Sequence, residues 1–186
     1  LLDLMTKYNV NGIIFSSSCT VYGQPDVLPA TEETPIKTAE SPYGNTKQIN
    51  EEIIVDTVKS GSPIKSIILR YFNPIGAHPT AHIGELPLGV PQNLIPFLTQ
   101  TAIGIREKLS VFGDDYSTPD GSCIRDYIYV VDLAKAHVCA MTRILEGKAE
   151  EAVEVFNIGT GKGTSVLELI NAFEKATGVK LSYQIV

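Results

Sequence analysis

The run Gly12-Ile13-Ile14-Phe15-Ser16-Ser17-Ser18 decides the fold class of this chain. Its short apolar part is rich in β-branched residues and predicts a strand buried on both faces, the kind found in parallel sheets. The residues at 1–8 predict the last turns of a helix before it. Because the chain opens inside this helix, without an initiator methionine, we expect the sequence to be truncated.

Helices and strands alternate along the rest of the chain. Ser41-Pro42 predicts the start of a helix that runs to Gly61. Its apolar positions at helical spacing are Ile49, Ile53, Ile54 and Val58. The other predicted elements are strands at 64–71, 110–112, 153–158 and 180–185, and helices at 93–108, 131–146 and 165–177. This alternation predicts an α/β fold with at least part of its sheet parallel.

Composition and charge argue against several classes of protein. The 15 basic residues are outnumbered by 21 acidic ones, so the chain lacks the positive field that nucleic-acid phosphates require. No apolar run approaches the roughly 20 residues needed to span a bilayer. The 3 cysteines include no C-x-x-C pair, which favours a reducing compartment. We therefore expect no nucleic-acid partner, no membrane partner and a cytoplasmic location.

Tyr43 and Lys47 lie four residues apart at the start of the predicted helix, so their side chains share one face. A free phenol has a pKa of about 10, and a nearby ammonium stabilises the phenolate, which makes a tyrosine usable as a base. The spacing by itself is more typical of a solvated helix face. The pair indicates an active site only together with the sequence around it.

That context is the sequence F-S-S-S-C-T-V-Y-G at 15–23 followed by S-P-Y-G-N-T-K at 41–47. Together they resemble the extended short-chain dehydrogenase/reductases, whose active site joins a strand-end serine to Y-x-x-x-K on the next helix. The resemblance implies that Ser18 completes a catalytic triad, that Tyr43 is the base and that Lys47 also holds the nicotinamide ribose of NAD. Without the pair, Ser18 would be read as a simple strand terminator or helix cap.

The stretch R-Y-F-N-P-I-G-A-H-P at 70–79 follows the next predicted strand, at the edge where open α/β sheets bind ligands. It resembles the signature of nucleotide-sugar 4-epimerases that act on UDP-galactose and UDP-glucose. The resemblance implies that Asn73 contacts the sugar diphosphate, that Phe72 lies by the nicotinamide and that Tyr71 contacts the substrate. A polar turn closed by proline is the plainer alternative.

Three further motifs resemble the same family: P-Q-N-L-I-P at 91–96, F-G-D-D-Y at 112–116 and D-G-S-C-I-R-D-Y at 120–127. The first implies that Asn93 and Leu94 meet the diphosphate at a helix start, which is a standard phosphate site. The resemblance also implies that the short strand Ser110-Val111-Phe112 flanks uracil. Gln92 stands where the family usually has Asn.

The last of these motifs implies that Arg125 pairs with phosphate and that Tyr127 contacts the substrate. A guanidinium fork suits a diphosphate. The alternative for Arg125 is a structural salt bridge with Asp126 or a neighbour. Ser122-Cys123 departs from the family's Thr-Gly at this point.

Other patterns predict structure rather than chemistry. The glycine-rich run at 159–164 fails both nucleotide-loop templates and predicts a tight turn with Thr164 or Ser165 capping a helix. His78 and His82 lie among prolines and glycines and predict a loop pair rather than metal ligands. His137 is predicted to be a satisfied structural histidine. We expect no metal site.

The resemblance as a whole implies the C-terminal part of a Rossmann-like doubly wound parallel sheet plus most of a smaller α/β nucleotide-sugar-binding domain. Residues 1–72 would be the latter part of the NAD-binding domain with the catalytic residues. Residues 73–186 would mainly bind the UDP-sugar, with a partial return to the NAD-binding domain around 126–160. The glycine-rich NAD loop and the carboxyl-terminal UDP contacts would lie outside the chain, so we expect the fragment alone to be inactive.

The implied reaction is interconversion of UDP-galactose and UDP-glucose by transient oxidation at C4, in an isomerase of galactose metabolism that forms a homodimer. Related 4,6-dehydratases carry Asp and Glu where this chain has Cys19 and Thr20, so elimination of water lacks its residues. Two alternatives stay open: another nucleotide-sugar 4-epimerase, acting on a pentose, glucuronate or N-acetylhexosamine, or a non-catalytic NAD-binding sensor of the same fold.

Overall fold

The computed structural model describes all 186 residues, Leu1–Val186, as two compact units. The first unit contains Leu1–Phe72 and Val131–Gly159, and the second contains Asn73–Val130 and Thr160–Val186. In chain order the elements are α1 (Leu2–Lys7), β1 (Gly12–Ser18), a 3₁₀ turn (Cys19–Tyr22), α2 (Pro42–Lys59), β2 (Lys65–Tyr71), β3 (Asn73–Ile75), α3 (Leu94–Ala102), β4 (Leu109–Val111), β5 (Ile124–Tyr129), α4 (Val130–Leu145), β6 (Val153–Ile158), β7 (Gly163–Ser165), α5 (Val166–Thr177) and β8 (Tyr183–Ile185). None of the helices is long and apolar enough to cross a membrane. The predicted α/β class is confirmed.

The sheet of the first unit is parallel throughout, in the order β1-β2-β6. Its centre is apolar, because Ile67 and Leu69 of β2 are buried and pack with Ala140 of α4. The prediction that the strand before Ser17 is buried on both faces is wrong, since the residues from Gly12 to Ser16 are only half-buried. β1 is an edge strand of this sheet, with a neighbour on one side only.

Helix α2 begins as the sequence predicts. The Ser41 hydroxyl accepts a hydrogen bond from the Gly44 amide at 3.1 Å, and Pro42 occupies the first turn. Only part of the predicted apolar face is buried, since Ile54 is 5% exposed and Val58 is half-buried, whereas Ile49 and Ile53 are 44% and 50% exposed. The residues of α2 that are buried are Gly44, Glu51 and Ile54. A charged residue, Glu51, therefore shares the inner side of α2 with Ile54.

The second unit contains two small sheets. The first sheet has the strand order β3-β5-β7, in which β3 is parallel to β5 and β7 is antiparallel to β5. The second sheet is the parallel pair of β4 and β8. Its buried cluster is Leu98, Leu109, Val111, Ile170 and Leu181. The sequence analysis did not predict β3, β5 or β7, because short strands that contain Pro74, polar residues or Gly163 lack an apolar run or alternation.

Several predicted boundaries are wrong in the second unit. The helix predicted to reach Lys108 ends at Ala102, because Gly104 has φ +77° and the Gly104 amide bonds back to Thr101 at 3.1 Å. The strand predicted at 110–112 occupies Leu109–Val111 and leaves Phe112 outside it, 72% exposed. The strand predicted at 180–185 is confined to Tyr183–Ile185.

Helix α5 begins with a reciprocal capping box. The Ser165 hydroxyl accepts from the Glu168 amide at 3.0 Å, and the Glu168 carboxylate accepts from the Ser165 amide at 2.8 Å. Of the two predicted caps, Ser165 is therefore the one that forms. Ser165 also donates to the Asp120 carboxylate, and the hydrogen bonds from Ser165 and Ser122 lower the pKa of Asp120. The residue after Asp120 must be glycine, because Gly121 has φ +76° and a Cβ at this position would lie 2.1 Å from the Asp114 carbonyl oxygen.

We expect Ser165→Ala to lower the free energy of unfolding by about 1–2 kcal/mol, because it removes both the cap of the Glu168 amide and the hydrogen bond to Asp120. Urea unfolding of the complete gene product, followed by circular dichroism, would measure the change. Ser182→Ala is the matched control, since Ser182 is an exposed serine of the same unit. Equal stability of the two variants would contradict the capping role.

Candidate functional site

The three serines at the end of β1 are each held by a different partner. The Ser16 hydroxyl lies 2.8 Å from His137 Nε2, the Ser17 hydroxyl donates to Glu51, and the Ser18 hydroxyl accepts from the Thr20 amide at 3.3 Å. Ser17 and Ser18 are buried, at 0% and 6% exposure. The carboxyl end of β1 is therefore fixed by side chains, and Ser18 is placed at its tip.

The predicted structural role of His137 is confirmed. Its Nδ1 lies 2.9 Å from the Leu133 carbonyl oxygen, which can only accept. Nδ1 therefore carries a proton, and in the neutral ring Nε2 accepts from the Ser16 hydroxyl. Both ring nitrogens are occupied by protein partners.

Tyr43 and Lys47 meet at the same end of β1. The Lys47 ammonium donates to the Ser16 carbonyl oxygen at 2.7 Å and lies 5.4 Å from the centre of the Tyr43 ring. It also lies 5.2 Å from the centre of the Phe15 ring. Tyr43 is 51% exposed, so its ring is accessible from solvent. The predicted pair thus places a fixed cation beside an accessible phenol.

Tyr71 joins this group from the end of β2, where it pairs in register with Ser18. Burial raises the pKa of Tyr71, and the nearby Tyr43 raises it further. Tyr71 therefore stays protonated at neutral pH and can donate a hydrogen bond. Phe72 follows directly and is anchored by its amide, which donates to the Ile158 carbonyl at 3.2 Å. The first unit brings together Ser18, Tyr43, Lys47 and Tyr71.

The sequence analysis missed a buried ion pair beneath this group. The Arg70 guanidinium donates two hydrogen bonds to the Glu51 carboxylate, from Nη2 to Oε2 at 2.6 Å and from Nε to Oε1 at 3.1 Å. Both side chains are under 8% exposed. Burial lowers the pKa of Arg70, but hydrogen bonds to Glu51 and Tyr22 outweigh it, and the net pKa is raised. Arg70 stays charged.

A signal for this pair was present in the sequence. Arg70 follows the apolar run Ile67-Ile68-Leu69, and an arginine in a buried strand requires a buried acceptor. Glu51 lies four residues beyond Lys47, on the same stripe of the helix. The sequence alone did not show which carboxylate is the partner.

The second unit brings Asn73 and Tyr127 together, because the two residues are paired in register between β3 and β5. Asn73 is exposed, whereas burial raises the pKa of Tyr127. The phenol of Tyr127 is therefore neutral at physiological pH. An amide and a phenol side by side offer hydrogen-bond donors and acceptors to a polar ligand.

The alternative reading of Arg125 as a structural salt bridge is wrong. Its guanidinium is exposed, lies 2.6 Å from Cys123 Sγ and 2.8 Å from the Ile124 carbonyl oxygen, and has no carboxylate partner. The Asp126 carboxylate instead accepts from the amides of Thr160 at 3.0 Å and Gly161 at 2.9 Å. Arg125 thus keeps a positive charge that no protein carboxylate neutralises.

The remaining predicted residues lie at the start of α3 and in β4. Asn93 precedes Leu94 at the first turn of α3, and its side-chain amide donates to Glu85 at 3.0 Å rather than capping the helix. Val111 is 1% exposed within the core of the second unit. Of the residues predicted to flank uracil, Ser110 is half-buried and Phe112, which follows β4, is exposed.

The chain matches the model of the NAD dependent epimerase/dehydratase family over residues 1–159. It is 54% identical to UDP-glucose 4-epimerase 2 of Arabidopsis thaliana over 181 residues, covering 97% of this chain and 51% of the relative. It is 48% identical to UDP-glucose 4-epimerase of Mus musculus over 186 residues, covering 100% of this chain and 53% of the relative. The chain therefore spans about half the length of the curated relatives it matches.

Solved structures of similar proteins have the same fold as this chain. UDP-glucose 4-epimerase from Bifidobacterium longum, in complex with NAD⁺ and UDP, superposes with a TM-score of 0.92 at 49% identity, covering 100% of this chain and 54% of that one. UDP-glucose-4-epimerase from Stenotrophomonas maltophila, with bound NAD and formylated UDP-arabinopyranose, gives 0.94 at 46% identity, with 100% and 54% coverage. The predicted Rossmann-like architecture is confirmed.

Proposed function

Because the chain belongs to the NAD dependent epimerase/dehydratase family, we propose that the complete protein interconverts UDP-galactose and UDP-glucose with NAD as its cofactor. The observation that carries this proposal is the Lys47 ammonium beside the accessible Tyr43 ring at the carboxyl end of β1. Parallel α/β sheets bind their ligands at this end of the strands.

The residues of the first unit fit a nicotinamide nucleotide. Lys47 has three donor hydrogens, and the Ser16 carbonyl accepts one of them, which leaves donors for ribose hydroxyls. Phe72 follows the carboxyl end of β2 and offers an apolar surface for the nicotinamide ring. NAD, when bound, would supply the acceptor for the C4 hydride and later return that hydride.

The proton chemistry falls to side chains of this chain. As a phenolate stabilised by the Lys47 ammonium, Tyr43 would accept the proton of the sugar 4-hydroxyl as the C4 hydride leaves. The Ser18 hydroxyl donates to the same sugar oxygen. After rotation of the 4-keto sugar, Tyr43 would return the proton to the C4 oxygen, and return of the hydride to the other face of C4 would give the opposite configuration.

The second unit would hold the diphosphate. The exposed Arg125 offers a guanidinium fork, and Asn73 offers an amide. Asn93 and Leu94 stand at the amino end of α3, where backbone amides face outward without helical partners. The positive guanidinium and the amide donors match the negative charge and the acceptor oxygens of a nucleoside diphosphate.

The test uses UDP-galactose carrying deuterium at C4, incubated with the purified complete gene product. We expect UDP-glucose that retains the deuterium, because the hydride moves to the cofactor and back without meeting solvent. Nuclear magnetic resonance would measure both the product and its label. Loss of the label to water would contradict transient oxidation at C4.

A substrate panel separates the alternatives. It contains UDP-N-acetylgalactosamine, UDP-glucuronate and UDP-arabinose beside UDP-galactose. Faster epimerisation of any of the first three would assign the protein to another nucleotide-sugar epimerase. Bound NAD with no conversion of any of them would favour the sensor. The homodimer, the cytoplasmic location and the assignment of 1–72 to NAD and 73–186 mainly to the UDP-sugar stay predictions.

A further inference from the structure

A row of polar residues crosses the parallel sheet one residue before the candidate catalytic group. Ser17 of β1 pairs in register with Arg70 of β2, and Arg70 pairs with Asn157 of β6. The next row contains Ser18 and Tyr71, both members of the candidate site. The polar row is therefore adjacent in sequence and in register to the residues on which the proposed chemistry depends.

The row is joined by hydrogen bonds into one buried network. Ser17 donates to Glu51, Arg70 donates to both oxygens of Glu51, and Arg70 Nη1 lies 3.0 Å from the Tyr22 hydroxyl. Tyr22 is 1% exposed and donates to the Asn157 side chain at 2.7 Å. The network thus ties three strands to α2 through Glu51 and to the 3₁₀ turn after Ser18 through Tyr22.

Glu51 also belongs to the helix face that carries the catalytic pair. Tyr43, Lys47 and Glu51 are spaced four residues apart on α2, so they form one stripe. Lys47 binds the carbonyl of Ser16, and Glu51 binds the hydroxyl of Ser17. Two consecutive turns of α2 are therefore each attached to one of the two residues that precede Ser18.

A contribution to stability does not by itself explain why the chain has a buried ion pair between Glu51 and Arg70. Replacing a buried ion pair by apolar residues of similar volume is often neutral or stabilising, since two charges must be desolvated to form it. What the pair supplies is geometric specificity. A two-point guanidinium–carboxylate contact holds the two groups in one relative position. The pair therefore fixes α2 against β2, and the hydrogen bond from Ser17 to Glu51 fixes α2 against β1.

We propose that Glu51 and Arg70 are positioning residues for the reaction, which hold α2 in register with the end of β1 and so set the separation of Tyr43 from Ser18. The proposal rests on the proposed function, because it concerns the geometry of that same site. Misplacing reacting groups by about 1 Å can cost about 100-fold in rate. The pair acts through Ser17 and α2, without touching substrate.

The test replaces the pair by apolar residues in the complete gene product, as Glu51→Leu/Arg70→Met. We expect kcat for UDP-galactose to fall about 10- to 100-fold, with KM changed less than about 3-fold and bound NAD and melting temperature close to wild type. The control is Arg143→Met/Glu154→Leu, which removes the ion pair between α4 and β6. Glu154 pairs in register with Ile67, three residues before Arg70, and we expect this control to keep the wild-type kcat.

Ser17→Ala supplies a second variant if the double variant does not fold. It keeps the ion pair and removes only the link to β1, and we expect kcat to fall about 3- to 10-fold at unchanged KM. Wild-type kcat in Ser17→Ala or in the folded double variant would overturn the proposal, as would an equal loss in the control. An inactive wild-type protein would instead overturn the proposed function.

Discussion

Tyr43→Phe is expected to lower turnover of UDP-galactose by about 100- to 10,000-fold, because it removes the hydroxyl that exchanges the proton of the sugar 4-hydroxyl. Phenylalanine keeps the ring next to the Lys47 ammonium, so α2 and its contact with Ser16 remain intact. Bound NAD should stay near the wild-type amount. The measurement is a steady-state assay that detects UDP-glucose, with NAD content read from the absorbance of the denatured protein.

The matched control is Tyr8→Phe, which removes an exposed phenol hydroxyl from the same unit. We expect wild-type turnover in this control. Wild-type turnover in Tyr43→Phe would contradict the role of Tyr43 as the proton acceptor. A loss of bound NAD together with activity would place the defect in the cofactor site instead.

Arg70→Met is expected to lower the free energy of unfolding by about 3–5 kcal/mol, because it leaves the buried Glu51 carboxylate without its cation. Ser17 remains as a hydrogen-bond donor to Glu51, but one hydroxyl does not replace a guanidinium fork. Urea unfolding of the complete gene product would measure the change from the transition midpoint and slope.

Two variants control this result. Arg125→Met removes an exposed arginine without a carboxylate partner, and we expect a change within about 0.5 kcal/mol. Glu51→Leu/Arg70→Met should recover most of the stability lost in Arg70→Met, since neither charge is then left buried. A double variant as unstable as Arg70→Met would show that the loss comes from packing rather than from an unpaired charge.

The fold class and most of the candidate catalytic group could be predicted from the sequence. Local signals predicted β1 and β2, from an apolar run in each, and the start of α2, from a serine followed by proline. The four-residue spacing of Tyr43 and Lys47 indicated a catalytic pair only together with the motifs around it. The motif resemblance added Ser18 and the roles of NAD and the UDP-sugar. Each signal depends on neighbours within about ten residues, and such neighbours can be read from a single chain.

Two features became evident only in the folded structure: which face of α2 is buried and which group neutralises Arg70. Helical spacing marked Ile49, Ile53, Ile54 and Val58 as an apolar face, yet Glu51 is buried together with Ile54 while Ile49 and Ile53 are exposed. Glu51 and Arg70 are 19 residues apart in sequence, and they meet only because β1 and β2 pair in parallel beneath α2. The free energy of burying a charge depends on a partner brought from elsewhere in the chain, which no local pattern specifies.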